Sequence, residues 1–213
     1  RFINMQVIES GYKNYKKSLA PPGLFLILTL FFSFSLKAQT DNYPIGTRAA
    51  ALSNAYVAES DVWSTHHNQA GLGYIDNVTM GIFHQSGFIK QQNMQGVGFA
   101  YPTKTGTIAA SYSYFGYSQY NEMQAGLAFG RSFTKHFAVG LQINYLSTRI
   151  ADNYGSANTV NFEVGILSQP IDNLFIGAHV YNPSRSKTGD EIIPTIFKLG
   201  AGYLFSEKLY FFV

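Results

Sequence analysis

Between Val78 and Val213 apolar side chains return at every second position, the spacing that puts alternate residues on one face of a β-strand. In residues 137–145, Phe137, Val139, Leu141, Ile143 and Tyr145 share one face, and Ala138, Gly140, Gln142 and Asn144 share the other. The same split recurs in Val160, Phe162, Val164 and Ile166 against Asn161, Glu163 and Gly165. It recurs again in Phe197, Leu199, Ala201, Tyr203 and Phe205 against Lys198, Gly200 and Gly202, and in Ala125, Leu127 and Phe129 against Gln124, Gly126, Ala128 and Gly130. One face is large and apolar, and the other is small, polar or glycine. The pattern predicts an all-β chain.

The chemistry of the second face decides between two all-β architectures. A soluble sandwich alternates too, but its outward face carries many Lys, Glu and Thr. Here the non-apolar face is Gly, Ala, Ser, Asn and Gln with few charges, which suits the interior of a transmembrane antiparallel β-barrel whose apolar face meets lipid. A tilted strand crosses a bilayer in about 9 to 11 residues, and the runs at 120–133, 136–148 and 195–205 reach that length. Tyr101, Tyr112, Tyr114, Tyr117, Tyr120, Tyr145 and Tyr181 fall near predicted strand ends, as interfacial girdle residues do.

Nine strands are expected, near 78–89, 94–102, 106–117, 120–133, 136–148, 158–168, 173–181, 194–205 and from 208 onward. Connections after the second, fourth, sixth and eighth strands are short, at residues 103–105, 134–135, 169–172 and 206–207. Those after the fifth and seventh are long, at residues 149–157 and 182–193. Short turns on one rim and long loops on the other are the outer-membrane arrangement, and they place the entry of the N-terminal segment on the short-turn, periplasmic side. Bacterial barrels of one chain have even strand numbers. The ninth strand stops in mid-pattern at Val213, so the chain is expected to be a C-terminally truncated piece of a larger barrel.

Ahead of the strands, Lys13, Lys16 and Lys17 precede the apolar run Leu24–Phe34. Its 11 residues fall short of the about 20 that a spanning helix needs, which sets aside an uncleaved anchor in favour of a secretory signal peptide cut after Ala38. Met5 is the expected start, with Arg1 to Asn4 upstream of it. The expected domains are therefore residues 1–38 as leader, 39–77 as an N-terminal hatch or plug, and 78–213 as barrel strands, with the mature protein in the cell outer membrane.

The stretch 43–76 neither alternates nor reads as a leader, and it carries the resemblance to a known group. Its run Ile45-Gly46-Thr47-Arg48-Ala49-Ala50-Ala51-Leu52-Ser53-Asn54-Ala55-Tyr56-Val57-Ala58, followed by Asn68-Gln69-Ala70-Gly71-Leu72, resembles the N-terminal hatch of the PorV/PorQ family of Bacteroidetes outer-membrane proteins, which belong with FadL-like barrels. The motif positions are Gly46, Arg48, Ala49, Asn68, Ala70 and Gly71. Ser53 and Asn54 stand where that family usually has glycine, and Gln69 replaces a proline, so the likeness is to a divergent member. The resemblance implies a barrel of about 14 strands when complete, with the N-terminal segment folded into the lumen. It also implies a non-enzymatic role associated with type IX protein secretion or, as the alternative, a channel for hydrophobic small molecules or fatty acids. A sealed lumen with exposed apolar loops favours docking of a partner, whereas a lateral opening with an apolar pocket favours transport. Residues 51–62 are amphipathic and are expected to form a short helix that ends before Gly71 and Gly73.

Charge and candidate chemistry narrow the function further. The formal charge of +3 belongs to the leader, which holds five Lys/Arg and one acid; the remainder has ten basic and eleven acidic residues, a net of −1. Scattered single cations give no footprint for nucleic acid. There is no Cys, so disulfide and thiol chemistry are excluded. His66 and His67 lie near Glu59 and Asp61, but adjacent histidines diverge on any regular element, so no metal is expected and they read as polar plug residues. Ser53, Ser64 and Ser111 lack a G-x-S-x-G setting, so neither catalytic residues nor a cofactor is assigned. Expected partners are outer-membrane lipid together with secretion-system proteins or a hydrophobic ligand. Glu163 and Lys198 are expected on inward faces, pairing with each other or with Arg48 to offset desolvation. Asn182-Pro183 and Gln169-Pro170 are expected in turns.

Overall fold

The computed structural model describes residues 44–151, 155–189, 191–206 and 209–213, all within one compact unit, Tyr43–Val213. The expected leader and its cut site, residues 39–43 of the N-terminal segment, and Glu207 of the connection expected at 206–207 lie outside the described residues.

Alternation becomes nine main strands: β1 (Thr79–Gln85), β2 (Met94–Thr103), β3 (Gly106–Gly116), β4 (Tyr120–Thr134), β5 (Phe137–Ile150), β6 (Gly155–Ile171), β7 (Leu174–Tyr181), β10 (Ile196–Ser206) and β11 (Leu209–Phe212). Each pairs antiparallel with the next main strand, giving one sheet in the order β1-β2-β3-β4-β5-β6-β7-β10-β11. A two-stranded hairpin, β8 (Lys187–Thr188) with β9 (Glu191–Ile192), stands apart from it in the connection before β10. Two facing sheets of similar size, which a sandwich needs, are absent among the described residues. Residues 104–105, 135–136 and 172–173 make the short connections on one rim. The β1–β2, β3–β4, β5–β6 and β7–β10 connections occupy the other.

Register carries the side-chain pattern across the whole sheet. Ile108, Phe129 and Leu141 stand opposite one another and continue to Val164, while Ala110, Leu127, Ile143 and Phe162 form the next row. These rows lie on a face with no protein cover: Leu127 is 64% exposed, Ile82 76% and Leu199 79%. On the opposite face Gly126, Ala128 and Gly130 of β4, Gly140 and Gln142 of β5, and Asn161, Glu163 and Gly165 of β6 are buried. The N-terminal segment covers Ala128, Gly130, Gly140, Glu163 and Gly165. Val62 and Leu72 pack on Ala100, Ala109 and Ala128; Ala58 and Ala70 pack on Ala138 and Leu167; Ile45 packs on Phe83 and Met94, with Trp63 between. The core therefore sits between one sheet face and a mostly irregular segment.

Several expectations need correction. The region after the fifth strand is not a long loop, because β5 runs to Ile150 and β6 restarts at Gly155. The polar residues Ser156 and Asn158 obscured strands that continue past the apolar zone. Gln169-Pro170 lies within β6, at a register shift between Ser168 and Ile171, a bulge where Pro costs no ladder bond. Tyr120 and Tyr181 are not on the apolar face. Tyr181 is buried on the face of Gly177 and His179, and Tyr120 shares the face of Glu122, to which its hydroxyl donates. The helix of the N-terminal segment precedes the expected one, for a reason set out below.

Candidate functional site

The candidate site is the seam between residues 44–76 and the buried sheet face. The segment opens with α1 (Thr47–Ala51) and continues through turns to α2 (Ser64–His67) and a 3-10 helix at Gln69–Tyr74. Gly46 caps α1 with φ 105°, and a Cβ there would lie 2.8 Å from Cγ of Trp63, so both its backbone and its space require glycine. The helix stops at Ala51 because Ser53 and Asn54 take φ of 52° and 69°, the left-handed region that L residues rarely enter. That is why residues 51–62 do not form the expected helix.

The motif residues fall into two groups. Arg48 is half-exposed and pairs with Glu59 at 2.7 Å, while its guanidinium carbon lies 5.9 Å from the rings of both Tyr56 and Phe212. The expected partnership of Arg48 with Glu163 is not formed, since Glu59 lies nearer along its own segment. Burial holds the Glu59 carboxyl above its ordinary range, against the pull of Arg48. Beside it the Tyr56 hydroxyl donates to Asp61 at 2.5 Å, and burial with that carboxylate raises the phenol. Ala49 is fully buried.

Asn68, Ala70 and Gly71 form the second group, at the join to the sheet. The Asn68 amide donates to the Val57 carbonyl at 2.6 Å and to the Ile166 carbonyl of β6 at 3.0 Å, and its oxygen accepts from Ala70 N at 3.2 Å. One side chain thus caps the 3-10 helix and ties it to the wall. A Cβ on Gly71 would lie 2.5 Å from the Glu59 carbonyl, and Cβ atoms on Gly140 and Gly165 would overlap Gln69 and Asn68. The wall glycines are where the segment's main chain touches the sheet.

Next to this contact lies a buried polar network. Glu163 accepts from His179 Nε2 at 2.8 Å, Gln69 Nε2 at 2.8 Å and Asn144 Nδ2 at 2.6 Å. Asn144 also donates to Asn161 at 3.0 Å and accepts from Gln142 at 2.6 Å. The charge of Lys198 acts on Glu163 through space. Sequence reasoning placed Glu163 and Lys198 on the inward face but missed His179, whose position alternates with Ala178 and Val180 in step with Gly177. That parity was the available signal.

The two adjacent histidines lie in the seam. His67 Nε2 donates to the Ile45 carbonyl at 2.8 Å and its ring meets Tyr56 edge-on at 5.0 Å. Burial lowers His67 to about 3 and His66 to about 4, so both are neutral at neutral pH. Among the described residues no group of three or more His, Cys, Asp or Glu is placed to hold a metal ion. One Ser–His contact, His84 Nε2 to Ser86 Oγ at 3.2 Å, is exposed, and no carboxylate among the described residues orients the ring.

No protein-family model matches the chain, and a search of curated proteins gives no match. Among the described residues no helix is long and apolar enough to cross a membrane, which leaves crossing by strands untouched.

Proposed function

We propose that this chain forms an outer-membrane β-barrel of the PorV/PorQ kind, plugged by its N-terminal segment, which docks a partner of the type IX secretion pathway and performs no catalysis. The observation that carries the membrane reading is the two-faced sheet: uncovered apolar rows on one face, glycine and hydrogen-bonded polar residues on the other. A water-facing surface built of Leu127, Phe129, Leu141, Ile143 and Phe162 would be an aggregation hazard, whereas lipid covers it at no cost. The N-terminal segment then lies inside the barrel, and its main-chain contacts at Gly130, Gly140 and Gly165 make it a fixed plug.

Two features favour docking over passage of hydrophobic molecules. The seam beside the plug is lined by Glu163, His179, Asn144, Asn161 and Gln142, an unsuitable surface for an acyl chain because their polar groups would lose hydrogen bonds. On the long-loop rim, Phe88 is wholly exposed, and Ile89 and Ile192 are about half exposed. Exposed apolar residues on loops are the kind a protein partner covers.

Fractionation and a mild-detergent gel test the membrane reading: the tagged protein is expected in the outer-membrane fraction and to migrate differently after heating. A soluble periplasmic protein overturns it. Native purification in detergent tests the role. Co-purification of identified secretion-translocon subunits, lost on Phe88→Ser, is expected; a bound fatty acid with no such subunits overturns docking in favour of transport.

A further inference from the structure

The uncovered face is not apolar along its whole length. Toward the long-loop rim the rows change in step across four strands. Ala110, Leu127, Ile143 and Phe162 are followed by Tyr112, Ala125, Tyr145 and Val160, then by Tyr114, Met123, Ser147 and Asn158, and finally by Gly116, Asn121, Arg149 and Ser156. Residues of the last three rows line a groove of about 660 Å3, among them Tyr112, Tyr145, Ser147 and Arg149.

The geometry points to a binding site for one phosphorylated glycolipid of the membrane leaflet at the long-loop rim, with its phosphate at Arg149 and an acyl chain running down past Tyr112 and Tyr145 onto Leu127 and Ile143. The inference rests on the membrane-barrel reading above. Charge selects the anion: Arg149 is exposed, and among the described residues it has no hydrogen bond or ion pair and no Asp or Glu lines the groove. A guanidinium binds phosphate through paired N–H donors. Asn121, Ser147 and Asn158 lie within two rows of it and offer amide and hydroxyl groups suited to sugar hydroxyls. The change from apolar to tyrosine to polar rows puts this groove at the depth where head groups sit.

Arg131 provides the comparison within the molecule. It is also exposed on this face, but near the short-turn rim, with its guanidinium 5.3 Å from the Phe133 ring and outside the groove. The full chain, purified in detergent, is titrated with monophosphorylated lipid A, with the same lipid after phosphate removal, and with phosphatidylglycerol, and bound lipid is counted by native mass spectrometry. Saturable binding of one phosphorylated glycolipid is expected, weakened about tenfold or more by Arg149→Ala and unchanged by Arg131→Ala. Equal binding after phosphate removal or by R149A overturns the site, and equal binding of phosphatidylglycerol overturns the glycolipid assignment. Heat-dependent migration of each sample separates the two levels: a heat-modifiable protein with no Arg149-dependent lipid sinks this inference alone, while a soluble, unshifted protein sinks the barrel reading with it.

Discussion

The two faces of each strand have the same backbone and opposite requirements. On the uncovered face, Leu127, Phe129, Leu141 and Ile143 lie beside cross-strand neighbours of the same sheet and under no other segment, so their size and exact shape are loosely constrained. On the covered face, Gly140 and Gly165 meet the main chain of another segment, and Glu163 satisfies three donors from three different elements. On the proposed membrane reading one face asks only for apolarity, because its neighbour is a fluid. The other asks for particular atoms, because its neighbour is fixed.

The sharpest break of that contrast comes from Glu163. Glu163→Ala leaves His179, Asn144 and Gln69 buried without their acceptor, and a loss of about 3 to 5 kcal/mol is expected. Glu163→Gln keeps the shape and one acceptor oxygen and should cost less. Urea midpoints of the detergent-folded protein check both. Equal midpoints for E163A and the parent would mean that the network does not hold the segment to the wall.

Next in size is a substitution that the uncovered face should refuse only if lipid covers it. Leu127 is central in β4, and Leu127→Lys is expected to cost about 2 to 4 kcal/mol in a bilayer, the midplane range for a cation. At an exposed site in water the same change stays within about 0.5 kcal/mol. The stability of L127K in lipid vesicles therefore tests what this face meets.

Acid should act on the covered side alone. His66 and His67 are neutral in the fold with pKa values lowered to about 4 and about 3, while in the unfolded chain they titrate near the ordinary imidazole value. The unfolded state binds more protons below about pH 6.5, so their contribution is complete above that pH and declines as pH falls toward 4. A loss of about 1 kcal/mol by pH 5.5 is expected from His67, and less from half-buried His66. Glu59, raised by burial, works in the opposite direction. His67→Gln should flatten the pH dependence of the urea midpoint between 6.5 and 5.5; an unchanged slope would remove His67 from the account.

The contrast between faces also explains what could be read from the chain. Alternation needs only a periodic apolar signal, so the strands, their faces and the inward positions of Glu163 and Lys198 were legible. The polar extensions of β5 and β6 were not, because beyond the apolar rows both faces of a strand become polar and period two fades. The seam was only partly legible: of the small residues at 49–51, 53 and 55 expected to pack closely on the sheet, Ala49 is buried but Ala51 and Ser53 are exposed. Which wall glycine met which residue depended on contacts such as Asn68 with Ile166, 98 positions apart, that no local pattern encodes. Nor could spacing indicate that Arg48 would turn to Glu59.

The smallest expected effect concerns the turn that ends α1. Ser53 and Asn54 occupy left-handed backbone, which asparagine tolerates better than serine. Ser53→Gly relieves the strain but increases the freedom of the unfolded chain, and the two terms nearly cancel, leaving a gain of about 0.5 kcal/mol. Ser53→Val adds a β-branched side chain in a conformation it resists and should lose about 1 to 2 kcal/mol, although Ser53 is exposed and no hydrogen bond from its side chain is involved. Opposite signs for S53G and S53V at one exposed position would assign the effect to backbone conformation. A loss with both would mean instead that the serine side chain makes a contact the fold depends on, and the turn would then belong with the atom-specific face rather than with the solvent.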